Sequence, residues 1–131
     1  MTTRQELRDK IASAQDIKKE IVHSVAWDCD VEVRGMSGGA RADVMEAGYN
    51  DEGTVDYRAF YPAVLIATCY VPETDLPLFE AADRDLLNSK SATALEELAL
   101  PAMRLSGLSK DDLKVAEKNF GAAPISASGT T

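Results

Sequence analysis

Histidine is almost missing from this chain. His23 stands alone among 131 residues, so a mechanism that needs an imidazole has a single candidate. Cys29 and Cys69 are too few and too far apart for a zinc module, and two thiols do not make a disulfide framework. A reducing cytosol is the simplest setting for them. Aromatic residues contribute only 6%, so the core is expected to be aliphatic and mostly helical rather than that of a β-sandwich. No apolar run approaches the ~20 residues needed to cross a bilayer. The opening MTTRQELRDK has no apolar stretch behind its charges, so neither secretion nor membrane insertion is expected.

Basic charge is short in the middle of the chain. Residues 31–100 carry 5 Lys or Arg against 13 Asp or Glu, whereas the two flanks together carry 9 against 9. The net charge of −8 therefore belongs to the central segment. Neutralising phosphates requires a basic face, which makes nucleic acid and anionic lipid poor partners. A basic or amphipathic protein partner suits the charge, and so does acidity that simply keeps a small protein soluble.

Hydrophobic residues are plentiful, at 45% of a length typical of one domain. The pattern predicts a single α+β domain over 1–120 and a disordered C-terminal tail over 121–131. Its architecture is expected to be an N-terminal helix and an antiparallel β-hairpin, followed by a small, mostly helical bundle with a possible second short hairpin.

Leu7, Ile11 and Ala14 recur at helical spacing, and Thr3 with Glu6 forms a capping-box pattern. Ile17 to Val25 and the strictly alternating Val31 to Arg34 read as the hairpin, with Ala26 to Asp30 as its turn. Ser37 is placed to cap a helix over about 38–47 whose apolar face is Ala40, Val44 and Ala47. Gly48 to Thr54 reads as a loop.

Tyr57 to Val71 is the most apolar segment, and a helix apolar on most sides belongs in the centre of a core. Pro62 cannot donate its backbone hydrogen bond, so the regular helix is expected to begin near it, with Tyr57 to Tyr61 as a separate turn. Two short apolar arms around Pro-Glu-Thr-Asp in Cys69 to Phe79 suggest the second hairpin, although VLIATCYV also reads as a strand. Asp83 to Lys90 forms a short helix. Ser91 then caps a longer helix with Leu95, Leu98, Ala99, Ala102 and Met103 on one face, kinked at Pro101 and stopped by Gly107. A last helix starts at Ser109 and is sealed by Leu113, Ala116 and Phe120.

Residues 31–39, VEVRGMSGG, place Gly-x-Ser-x-Gly between a strand and a helix, the context of a hydrolase nucleophile elbow. In that fold the histidine follows the serine, whereas His23 precedes Ser37, and the chain is too short for the scaffold. Helix capping accounts for Ser37. The same glycines lack the Gly-Lys-Ser or Gly-Lys-Thr of a phosphate loop, and Asp43 and Glu46 would repel an anion. His23, Asp28, Cys29 and Asp30 cluster at the hairpin but match no zinc or calcium spacing. No catalytic residue, cofactor or metal is expected. Trp27 either packs down on the first helix or stays exposed as a contact residue.

Four segments, in this order, carry a resemblance: TTRQELRDKIASAQDI, VEVRGMSGGARADVMEA, YPAVLIATCYVPETDLPLFEAADRDLLNSKS and AMRLSGLSKDDLKVAEKNF. Together they resemble the tail assembly chaperones of siphophages, especially those infecting actinobacteria, over 1–120. The resemblance implies a non-enzymatic protein of the host bacterial cytoplasm, absent from the virion. Such a protein binds and solubilises the tape-measure protein and helps recruit tail-tube subunits. It also implies a possible homo-oligomer and a longer form of the chain made by frameshifting, with the junction in the tail after Phe120. Trp27, Tyr49 and Tyr57 are the residues expected to touch a partner. The alternatives are a virion structural protein, of the tail-completion or connector kind, and a small hydrolase using Ser37.

Overall fold

The computed structural model describes residues 1–108. The predicted helix from Ser109 to Phe120 and the predicted tail over 121–131 lie outside the described residues. Helix α1 spans Arg4–Ser13. The Thr3 hydroxyl accepts the Glu6 N–H, and the Glu6 carboxylate accepts the Thr3 N–H, each at 3.1 Å. This reciprocal cap satisfies two amide groups that a helix start otherwise leaves open.

Strands β1 (Lys19–Ser24) and β2 (Cys29–Arg34) form the expected hairpin, with Val22 opposite Val31. A two-residue strand β3, Cys69–Tyr70, pairs antiparallel with the other side of β2, giving the order β1-β2-β3. Because side chains alternate along a strand, Val31 and Val33 face the helices while Glu32 and Arg34 face away. The second short hairpin is present: the Leu78 N–H donates to the Cys69 carbonyl at 2.9 Å and the Val71 N–H to the Leu76 carbonyl at 3.0 Å.

Helix α2 runs Gly38–Gly48, and the Ser37 hydroxyl caps it by accepting the Ala40 N–H at 3.1 Å. Helix α3 is one continuous helix, Tyr57–Thr68, with Pro62 inside it. This corrects the expected break at Pro62. A proline orphans the carbonyl four residues back, and that carbonyl, of Arg58, accepts from Asn88 Nδ2 at 3.0 Å. Asn88 is the last residue of α4, Arg84–Asn88, so the side chain that repairs α3 also pins α4 to it. The helix stops at Thr68, short of the expected Val71, because Cys69 and Tyr70 are taken up by β2.

Helix α5, Ala92–Leu105, continues through Pro101. Ser91 stands at its N-cap position without a side-chain capping bond, contrary to the expectation that its hydroxyl serves as the cap. At the other end Gly107, at φ +75°, lets the Leu108 N–H reach back to the Met103 carbonyl at 2.7 Å and the Gly107 N–H to Arg104 at 3.1 Å. These two bonds make a Schellman turn, and Leu108 folds under it into the core. The core lies between β2, α3 and α5: Val33, Phe60, Val64, Leu65, Leu98, Ala99 and Ala102 are wholly buried. Burying each large side chain contributes about 1.5–3 kcal/mol. Among the described residues no helix is long and apolar enough to cross a membrane.

Candidate interaction surface

Helix α1 buries none of its residues. Leu7 and Ile11 lie one turn apart on it, with Ile11 73% exposed, and Ile17 follows in the connector to β1. An isolated helix of this length is marginal in water, and the capping box gives this one local support. The stripe leads into an open sheet edge. The Gly35 N–H donates to the Lys18 carbonyl at 2.8 Å, so the antiparallel alternation makes Glu20, Val22 and Ser24 the residues bonded to β2. The backbone groups of Lys19, Ile21 and His23 therefore point outward. Ile21 on this strand and Val25 just past its end are exposed as well.

Acidic side chains hold that hairpin rigid. Glu97 of α5 accepts the Val25 N–H at 2.9 Å, the Ala26 N–H at 3.2 Å and the Ser24 hydroxyl at 3.2 Å. These donors, the Val25 amide above all, hold the Glu97 carboxyl below its ordinary pKa. On the opposite sheet face, buried Glu32 accepts the Glu73 N–H at 2.9 Å and Arg34 Nε at 2.7 Å. The Glu73 amide first and the guanidinium second hold its pKa down as well. Arg34 also donates to the Thr74 carbonyl at 2.6 Å and lies 3.9 Å above the Tyr70 ring. Arg34, paired with Glu32 and, at 3.1 Å, with Asp75, thus fixes the second hairpin, including Glu73 at φ 62°.

The three predicted contact residues fall on three different elements. Trp27 occupies the β1–β2 turn and packs, half-buried, against the core. Tyr49 is the residue after α2 and bridges to Val55. Tyr57 opens α3, is 44% exposed, and has its ring centre 5.3 Å from that of Tyr61. Tyr61 donates its hydroxyl to Glu96 at 3.2 Å, and burial with the nearby Glu96 charge pushes its pKa up to about 12. Reading for aromatic anchors passed over the aliphatic surface of Leu7, Ile11, Ile17, Ile21 and Val25. The signal available was their periodicity, which an exposed stripe shares with a packed one.

Beside α2 lies a groove of about 1000 Å³ lined by Arg41, Ala42, Met45, Tyr49 and the acids Glu46, Asp51 and Glu52. As for the serine and histidine singled out above, the Ser37 oxygen is engaged as a helix cap, while His23 Nδ1 lies 2.8 Å from Asp30 and Nε2 lies 3.7 Å from Asp28. Among the described residues no three His, Cys, Asp or Glu side chains gather as a metal ion would require.

This architecture has a solved counterpart. The chain is similar to the bacteriophage HK97 tail assembly chaperone, with a TM-score of 0.53 and 16% sequence identity, over 80% of this chain and 98% of that one. The two share a fold. No protein-family model matches the sequence, and no curated protein does.

Proposed function

We propose that this protein is a non-enzymatic tail assembly chaperone of a siphophage, of the kind that infects actinobacteria. It binds the tape-measure protein in the host cytoplasm, helps recruit tail-tube subunits and is absent from the finished particle. The observation that supports this most is the shared architecture with the HK97 chaperone across nearly its whole length. The capped but uncovered α1 supplies the chemistry: an aliphatic stripe suits the apolar face of a helical client, and the adjoining sheet edge offers further pairing. An acidic body keeps such an adhesive surface soluble.

Co-expression with the tape-measure protein of the same phage tests the reading. The expected result is a soluble complex that a Leu7→Glu/Ile11→Glu variant no longer forms while keeping its fold. A client equally soluble without this chain, with no complex recovered, would sink the proposal. Mass spectrometry of purified virions should find the protein absent, and its stoichiometric presence would favour the structural tail-completion or connector role instead.

A further inference from the structure

We infer that the groove beside α2 is a docking site for a basic amphipathic helix of a partner protein, separate from the aliphatic stripe of α1. The two sides of α2 meet different surroundings. Val44 and Gly48 are buried, and a Cβ added to Gly48 would stand 2.5 Å from Phe60 Cδ1, so that side is packed on α3. Gly38, Arg41, Ala42, Met45, Glu46 and Tyr49 recur at helical spacing along the other side, and these line the groove. The loop from Asn50 to Gly53 forms its second wall. Asn50 braces that loop: its Oδ1 accepts the Glu52 N–H at 2.9 Å and the Thr54 N–H at 3.1 Å, and its Nδ2 donates to Thr54 Oγ1 at 2.7 Å. Asp51 and Glu52 are therefore carried on a fixed wall.

Charge and shape together select the occupant. The floor is Ala42 and Met45, and the flexible thioether of Met45 adapts to varied aliphatic side chains. Among the described residues that line the groove, the carboxylates of Glu46, Asp51 and Glu52 outnumber the one guanidinium, that of Arg41. Arg41 donates Nη1 to the Ser106 carbonyl at 3.3 Å, which draws its charge toward the end of α5. A neutral apolar segment gains nothing from those acids, and an acidic one is repelled by them. A helix with lysine or arginine beside its apolar stripe meets both parts of the surface. The 11 residues of α2 span about 16 Å, so about three turns of such a helix lie along it. The groove, at about 1000 Å³, has room for the anchoring side chains.

The test uses the full chain and a fluorescent synthetic peptide of leucine and lysine, patterned as an amphipathic helix of about four turns. Saturable binding by fluorescence anisotropy is expected, and about tenfold weaker binding when glutamate replaces lysine in the peptide. Glu46→Lys/Glu52→Lys should weaken the lysine peptide about tenfold, whereas Asp16→Lys/Asp85→Lys, which changes the net charge equally at exposed sites outside the groove, should weaken it less than about twofold. Equal losses in the two variants would reduce the attraction to net charge and overturn the proposal. With benzoylphenylalanine at one leucine of the peptide, photo-crosslinks should fall on Ala42, Met45 or Tyr49. Crosslinks confined to α1 or to any surface away from the groove would overturn it, as would a full chain that binds no peptide because its own residues or a second copy hold the groove. Leu7→Glu/Ile11→Glu should bind the peptide unchanged, so this site and the tape-measure reading stand or fall separately.

Discussion

The N-terminal arm and the β2–α3–α5 body are built from similar aliphatic residues and use them in opposite ways. In the body, Val33, Val64, Leu65 and Leu98 are wholly buried, whereas in the arm Leu7, Ile11, Ile17 and Ile21 are exposed. Side-chain type therefore does not separate the region that carries stability from the region that offers a surface. What separates them is the presence of a second layer. The inner face of the sheet is covered by helices, whereas among the described residues α1 buries no side chain and Ile21 lies on the outer face of β1. The local device that holds α1 together is its capping box, which works without tertiary packing.

The contrast can be broken most forcefully in the body. Leu98→Ala should cost about 3 kcal/mol, measured as a lowered urea midpoint, because α5 cannot collapse around the cavity. Gly35→Ala should cost about 2 kcal/mol, since an added Cβ would stand 2.6 Å from the Leu105 carbonyl oxygen and meet backbone that has little room to yield. Ser37→Ala should lose about 1 kcal/mol through the α2 cap alone, with no change in any activity of the chain.

Acid should loosen both hairpins. Glu32 and Glu97 both have folded pKa values below the ordinary 4.5. Their contribution is thus fully present above about 4.5 and is lost as pH falls through the lower folded values. A melting-temperature series from pH 6 to pH 3 should decline across that window, and Glu97→Gln should flatten the decline. The smallest stability effect is expected in the arm. Ile11→Ala should lower the unfolding free energy from urea titration by no more than about 0.5 kcal/mol while weakening capture of the tape-measure protein, and a larger loss would show that α1 is packed after all.

Much of the frame was legible because its signals are local. The Thr3–Glu6 cap, the alternation Val31-Glu32-Val33-Arg34 and the Ser37 cap each lie within a few residues and need nothing distant to act. The expected break at Pro62 failed for the opposite reason: the group that repairs the helix, Asn88, lies 30 residues from Arg58. Glu32 was equally unreadable. A charged residue in an alternating strand reads as solvated, and only the fold brings Arg34 and the Glu73 amide to bury it. The candidate surface was legible as periodicity and illegible as exposure, because sequence does not say whether a second layer covers a stripe.

The carboxylate that secures the first hairpin is contributed from 71 to 73 positions further along the chain. On the ribosome, that turn is made early and stays without its acceptor until codon 97 has been read and its residue has cleared the exit tunnel. Native closure therefore waits for α5 rather than following the order in which the strands emerge.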